Sequence, residues 1–353
     1  MKRFSFIVLF SLFLVPFSFR STSIVFAHEV YVLSPAERAQ AIATPSPNPL
    51  AAIPEHEAEF LGWGVLSLVA ILVVLSLSIS KLFEKVFDPV LMRLKPWAPF
   101  AARMTLAVSL IFSGYFHAFF GPELPFSALA SPSLATALSC ALVIIGVCIA
   151  LGFFTRFAAA LGIVIFVGTV CAYHTYMLTY ANYLGEMLAV FILGAGRLSI
   201  DRAAPFLERL QGEGSRLAKA FEPYSFLILR VLFGTALFFA SFYAKFLHSN
   251  LALDTVSDYH LTQYFHFTPL FLVLGAFFVE ALLGLCFASG FEVRFAALVF
   301  TFFLTLSILF FGESVWPHII LFGVNITLFL HGYDRYTLEK AIFQRGREGE
   351  PVM

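Results

Sequence analysis

The sequence predicts an all-α polytopic membrane protein, in which one additional N-terminal transmembrane helix precedes two tandem four-helix transmembrane bundles. Three observations carry this expectation. Hydrophobic residues make up 60% of the 353 and charged residues only 12%, too little polar surface to cover a water-soluble globule of this size. Nine apolar stretches have the length of a membrane-crossing helix, and the Lys and Arg residues between them fall almost entirely on one side of a threaded bilayer.

Taken in order, Met1-Lys2-Arg3, the apolar run Phe4 to Phe19 and the small-residue site Val25-Phe26-Ala27 read as a signal peptide over residues 1–27. Cleavage there would begin the mature chain at His28. Residues 28–59 are rich in Ala, Pro, Ser and Glu, lack an apolar period and read as an exported flexible arm. Phe60 to Ser80 runs 21 residues without a charge and is the lone span, within a segment 60–82.

Eight further spans follow in two sets. The first is Pro99 to Phe120, Leu134 to Phe154, Phe157 to Leu178 and Thr179 to Gly196; the second is Phe226 to Leu247, Phe267 to Phe291, Phe295 to Phe311 and Pro317 to Tyr333. They give a first unit over 97–202, a cytoplasmic linker over 203–223, a second unit over 224–336 and a cytoplasmic tail over 337–353. A β-barrel would show segments of about ten residues with strict alternation, which these Phe, Leu and Ala blocks lack.

With the lone span entering the cytoplasm at Lys81, nearly all basic residues, from Lys85 through Arg103, Arg156, Arg230 and Arg294 to Arg347, collect on the cytoplasmic side. Only Arg38 and Lys245 oppose them outside the signal. The chain is thus expected in the plasma membrane, with its mature N-terminus outside and its C-terminus in the cytoplasm. A net charge of zero leaves no footprint for nucleic acid, and the lipid bilayer is the expected partner.

The sequence also repeats itself. Gly152-Phe153-Phe154-Thr155-Arg156-Phe157-Ala158-Ala159 recurs 138 residues later as Gly290-Phe291-Glu292-Val293-Arg294-Phe295-Ala296-Ala297. Arg103 and Arg230 sit near the start of each first helix, and Gly196-Arg197 and Gly332-Tyr333 each close a fourth. Four crossings return the chain to its starting face, so the two units share an orientation.

With an Arg early in the first helix, a Lys at its outer end (Tyr243-Ala244-Lys245-Phe246), a Glu in the second (Val279-Glu280-Ala281) and the Gly-containing turn with Arg294, the chain resembles the DoxX-like family of membrane proteins in tandem. The resemblance covers roughly residues 99–336 and is better in the second copy, since the first has His117 near the place of the Lys and Leu142 opposite Glu280. It implies compact four-helix membrane bundles. For function it implies a membrane subunit of a quinone-linked oxidoreductase or a partner of thiol-stress enzymes.

Two sets of residues are candidates for chemistry. Glu280 lies mid-span, where a carboxylate needs a polar partner or a proton, and Lys245 lies near the outer end of the neighbouring helix; together they are the candidate catalytic residues, and a quinone is the candidate cofactor. Lys245 could equally snorkel to the headgroups, and Glu280 could be satisfied by Lys245 or Asn325 for packing alone. Glu186 is the corresponding oddity of the first unit.

Histidines form the second set, because eight of the nine fall toward the exported side. His28, with its free amine after cleavage, and His260 and His266 near Asp254 and Asp258 are candidate copper or zinc ligands. Cys140, Cys148, Cys171 and Cys286 lie in apolar stretches without a Cys-x-x-Cys pair, which argues against a local dithiol exchange site. Phosphate loops, dinucleotide fingerprints and nucleophile elbows are absent.

The leading expectation is a plasma-membrane component of a redox system, quinone-linked, acting near the exported face with a redox partner subunit. A metal-handling protein or small-solute transporter is the alternative, and a non-enzymatic scaffold the third.

Overall fold

Lipid offers the backbone no hydrogen-bond partner, so each apolar stretch closes its bonds within itself as a helix. The computed structural model describes residues 33–80, 82–203, 212–312 and 314–343. The expected signal peptide, His28, part of the linker and most of the tail lie outside these residues.

We number the helices α1 (Pro35–Ala43), α2 (Glu57–Ser80), α3 (Leu82–Leu94), α4 (Ala98–Tyr115), α5 (Pro132–Leu151), α6 (Thr155–Tyr173), α7 (Ala181–Leu193), α8 (Gly212–Phe221), α9 (Ser225–Phe242), α10 (Ser249–Asp258), α11 (Pro269–Ser289), α12 (Val293–Phe311), α13 (Ile319–His331) and α14 (Leu338–Phe343). Among the described residues there is no strand, only an isolated bridge between Ala118 and Pro125.

Six helical stretches are long and apolar enough to cross a membrane: Pro49–Ser76, Pro132–Leu151, Thr155–Leu193, Arg216–Leu247, Pro269–Ser289 and Val293–Phe311; Trp316–His331 is a shorter apolar helix. The chain is a multi-pass membrane protein. Six stretches rather than nine meet this measure for local reasons. Thr155–Leu193 holds two helices that double back at His174, whose φ of 51° ends α6, so that Arg156 at the start of α6 meets the Phe191 carbonyl at the end of α7. In α4 the charged Arg103 lowers the apolarity, and α13 has only 13 residues.

The eight bundle helices form a closed ring. Each packs on the next in the order α4, α5, α6, α7, α9, α11, α12, α13, and α13 returns to α4. The first helix of each unit therefore packs on the fourth helix of the other. One core, including Leu106, Leu110, Leu142, Met187, Phe233, Phe287 and Val324, runs through both units. Within each unit, glycine lets the first two helices approach closely: a Cβ on Gly146 would lie 2.7 Å from the Ala107 carbonyl, and one on Gly284 2.8 Å from the Gly234 carbonyl.

The repeated turns are fastened by arginine. Gly152 (φ 64°) and Gly290 (φ 73°) end α5 and α11 in the left-handed region, which glycine enters without penalty. Arg230 reaches into the second turn and donates to the carbonyls of Phe287 (2.9 Å), Ala288 (3.0 Å) and Tyr336 (3.1 Å). Arg103 in the first unit matches only the bond to Tyr336, donating to carbonyls beyond the fourth helix, those of Ala195 and, at 2.8 Å, Leu198. Arg156 and Arg294 cap the carbonyl ends of α7 and α13 through Phe191 and Phe329, each at 3.2 Å. Both arginines thus act as cations bound at helix C-termini, where carbonyls lack partners and the dipole is negative. We call this side of the bundle the basic face.

At the opposite face, the described part of the arm contains a helix packed against the bundle. The sequence expectation overlooked Ser34-Pro35-Ala36-Glu37, a capping box in which Ser34 and Glu37 bond each other's backbone at the start of α1. The helix docks through Leu33 and Ala41 against Ala244 and Leu251, while Asn250 donates to the Thr44 carbonyl (3.1 Å) and Ser249 to that of Pro47 (2.6 Å). Ring stacking holds the start of α2: Trp63 lies 4.1 Å from Phe271, with His56 at 4.3 Å on the same ring. Farther along, Leu66, Val69, Leu72 and Val73 are exposed, as befits a helix in lipid.

Candidate functional site

Two of the candidate residues meet. Lys245 Nζ donates to Glu280 Oε2 at 2.8 Å, with the lysine side chain 3% exposed and the glutamate 37%. Local structure explains why the lysine turns inward. After Phe242 the helix widens into a π turn, Tyr243–Leu247, which rotates Lys245 toward the bundle. The close Gly234–Gly284 crossing sets α9 beside α11, and Ser241 bonds the Phe277 carbonyl at 3.4 Å. Glu280 is the twelfth residue of α11, about 16 Å along the helix from its start.

Asn325, the other partner considered for Glu280, instead donates to the Ala297 carbonyl at 2.7 Å. Around Glu280, the neighbours Phe278, Val279, Leu282 and Leu285 are exposed, so this face of α11 is the lipid-facing flank. The pair is therefore an intramembrane charge couple with the ammonium inside and the carboxylate open to the side. Phenylalanine rings border it: Phe242 and Phe246 stack at 5.4 Å, and Phe277 lies 5.5 Å from Phe246. Such a site suits a flat, lipid-soluble molecule with a polar edge.

The candidate metal ligands are placed otherwise. His260, at φ 50°, and His266 lie exposed in the connection between α10 and α11. Among the described residues no group of three or more His, Cys, Asp or Glu is gathered. Several histidines terminate helices: His117, His174 and His260 all take positive φ. His318 is buried, with Nδ1 2.9 Å from the Ser314 carbonyl.

A second polar region, which sequence reasoning missed apart from Glu186, lies in the first unit. Glu123, in the connection between α4 and α5, accepts hydrogen bonds from Tyr180 and, at 3.0 Å, from Tyr176. Beside these tyrosines a cavity of about 60 Å³ lies between the units, lined by Tyr176, Tyr180, Asn182 and Tyr183 on one side and by Ala236, Ala240, Tyr243 and Leu321 on the other. Deeper in, Glu186 is fully buried and accepts from Thr105 at 3.1 Å. No signal in the Pro122-Glu123-Leu124-Pro125 segment could have found Glu123; both its partners arrive from the turn His174–Tyr180 before α7.

Enclosure pushes the Glu123 carboxyl above its ordinary value of 4.5, and the bonds from Tyr180 and Tyr176 and the charge of Arg38 offset only part of this. A carboxyl whose folded pKa is raised favours the folded state while protonated and loses that contribution as pH rises from about 4.5 through the folded pKa. Thermal stability of the wild type should thus fall across that window. Glu123→Gln should remove that part of the slope, and unfolding temperatures measured at a series of pH values check it.

No family model matches the chain, and no curated protein or solved structure matches it either.

Proposed function

We propose that this multi-pass protein is a plasma-membrane component of a quinone-linked redox system, with Lys245 and Glu280 forming the quinone contact. The observation that carries this reading is the ion pair on the bundle flank, which a quinone dissolved in the bilayer reaches without entering water. We place the face carrying the arm outside and the C-terminus in the cytoplasm, following the charge partition.

In this reading Lys245 donates to a quinone carbonyl while the neighbouring rings sandwich the headgroup. Reduction to the quinol takes two electrons and two protons. A redox partner subunit supplies the two electrons; both protons come ultimately from water, one passed to its quinone oxygen by the Glu280 carboxyl and the other taken directly by the second oxygen. The family resemblance points the same way. His260 and His266 lend the metal reading no geometric support, whereas the cavity between the units is the one observation favouring small-solute passage.

The experiment is a binding titration of a short-chain quinone to the protein in nanodiscs. Lys245→Met and Glu280→Gln should each weaken binding about tenfold, the loss of one charge-assisted hydrogen bond. Equal binding by wild type and both variants would overturn the assignment.

A further inference from the structure

The first unit holds a line of buried hydroxyls that the ion pair does not use. Thr105, Ser109 and Ser113 lie four residues apart on one face of α4, and all three are buried. Opposite them on α7 stand Tyr183 and Glu186, one turn apart, at 1% and 0% exposure. The Tyr183 phenol interacts with the hydroxyls of Ser109 and Ser113, although none of the three makes a well-aligned hydrogen bond, and Glu186 Oε2 is buried without a hydrogen-bond partner. Buried polar atoms so poorly satisfied along one line are unusual, because leaving such an atom without a bond costs about 1–3 kcal/mol.

Packing alone does not explain the line, as the second unit lacks it. The offset that aligns Arg103 with Arg230 places Leu232, Ala236 and Ala240 at the three hydroxyl positions, and the 138-residue offset places Leu321 and Val324 at those of Tyr183 and Glu186. The same fold is thus built with apolar residues there. Ala118 and Leu142 stand in the first unit where the second has Lys245 and Glu280. Each unit carries one polar feature, and they differ.

The line also has an entrance. Tyr183 borders the 60 Å³ cavity together with Tyr180, whose hydroxyl binds Glu123 near the face carrying the arm. That volume holds several water molecules, each needing about 10–15 Å³ on this measure. Among the described residues, the side-chain partner of Glu186 is Thr105, and no charged group from the packed helices α4, α6, α9 or α13 acts on it. With no cation near, the side chain is suited to holding a proton.

We propose that the first unit contains a proton-binding relay running from the inter-unit cavity and Glu123, through Tyr183, Ser113 and Ser109, to Glu186 at mid-membrane. A proton enters from water on the side of the arm. Each hydroxyl accepts a proton on one oxygen lone pair and releases its own to the next oxygen, and the Glu186 carboxylate ends as the neutral acid. The relay does not depend on the quinone reading.

The test is infrared spectroscopy of the protein in lipid vesicles. The wild type should show the carbonyl stretch of a protonated carboxyl at neutral pH, lost in Glu186→Gln and kept in Glu280→Gln. Transfer to heavy water should shift that band, and Tyr183→Phe and the Ser109→Ala/Ser113→Ala double variant should slow the shift about tenfold. These two variants keep the carboxyl and supply the readout even if Glu186→Gln does not fold. Absence of the band, or its exchange at the wild-type rate in both variants, would overturn the proposal.

Discussion

Arg230→Ala is expected to lower the unfolding free energy by about 3–5 kcal/mol, the largest effect of any single substitution on the basic face. Arg230 is 2% exposed and donates to three carbonyls, of which that of Phe287 also accepts the Gly290 N–H at 3.2 Å. Truncation leaves those carbonyls buried and opens space beneath Gly290. Arg230→Lys keeps the charge but not the planar fork, and should recover about half of the loss. Thermal unfolding in detergent measures both, and a loss for Arg230→Ala within ~0.5 kcal/mol of zero, the range of ordinary surface substitutions, would contradict the stapling role.

Glu280→Ala should cost about 2–3 kcal/mol, because it strands the Lys245 ammonium among apolar groups. The figure lies below that for a fully enclosed pair, since the carboxylate is 37% exposed and the lysine can swing toward the headgroups. Removing both charges in Lys245→Met/Glu280→Leu should bring stability back to within about 1 kcal/mol of the wild type, as buried pairs replaced by apolar residues commonly do. Unfolding temperatures of the three variants decide this. Restored stability with lost quinone binding separates a working pair from a packing device.

The apolar spans were legible because lipid leaves a chain only one local solution, and the Gly-Arg turns because they recur at fixed spacing. Glu280 and Lys245 were legible as charges in apolar surroundings. Lys245 and Asn325 were both possible partners for Glu280, and the choice between them was not legible, since it depends on the π turn at Tyr243–Leu247 and on the Gly234–Gly284 crossing, neither of which has a local signature. Histidines on one side suggested metal binding, yet His117, His174 and His260 take the positive φ that ends helices.

Two features were present in the sequence and outweighed by others. Ser34-Pro35-Ala36-Glu37 spells a helix start, but the polar composition around it suggested a flexible arm. Thr105, Ser109 and Ser113 form a four-residue stripe that needs Tyr183 and Glu186 opposite before it reads as a path. The exchange of first and fourth helices between units has no sequence signal, because the repeats look the same whether they pack within or across.

The most direct measurement is extraction of the protein with its native lipid, followed by quantification of bound quinone in wild type and Lys245→Met. Our account predicts a stoichiometric quinone retained by the wild type and lost from the variant. Quinone at no more than its level in bulk lipid, or equal amounts in both, would contradict it.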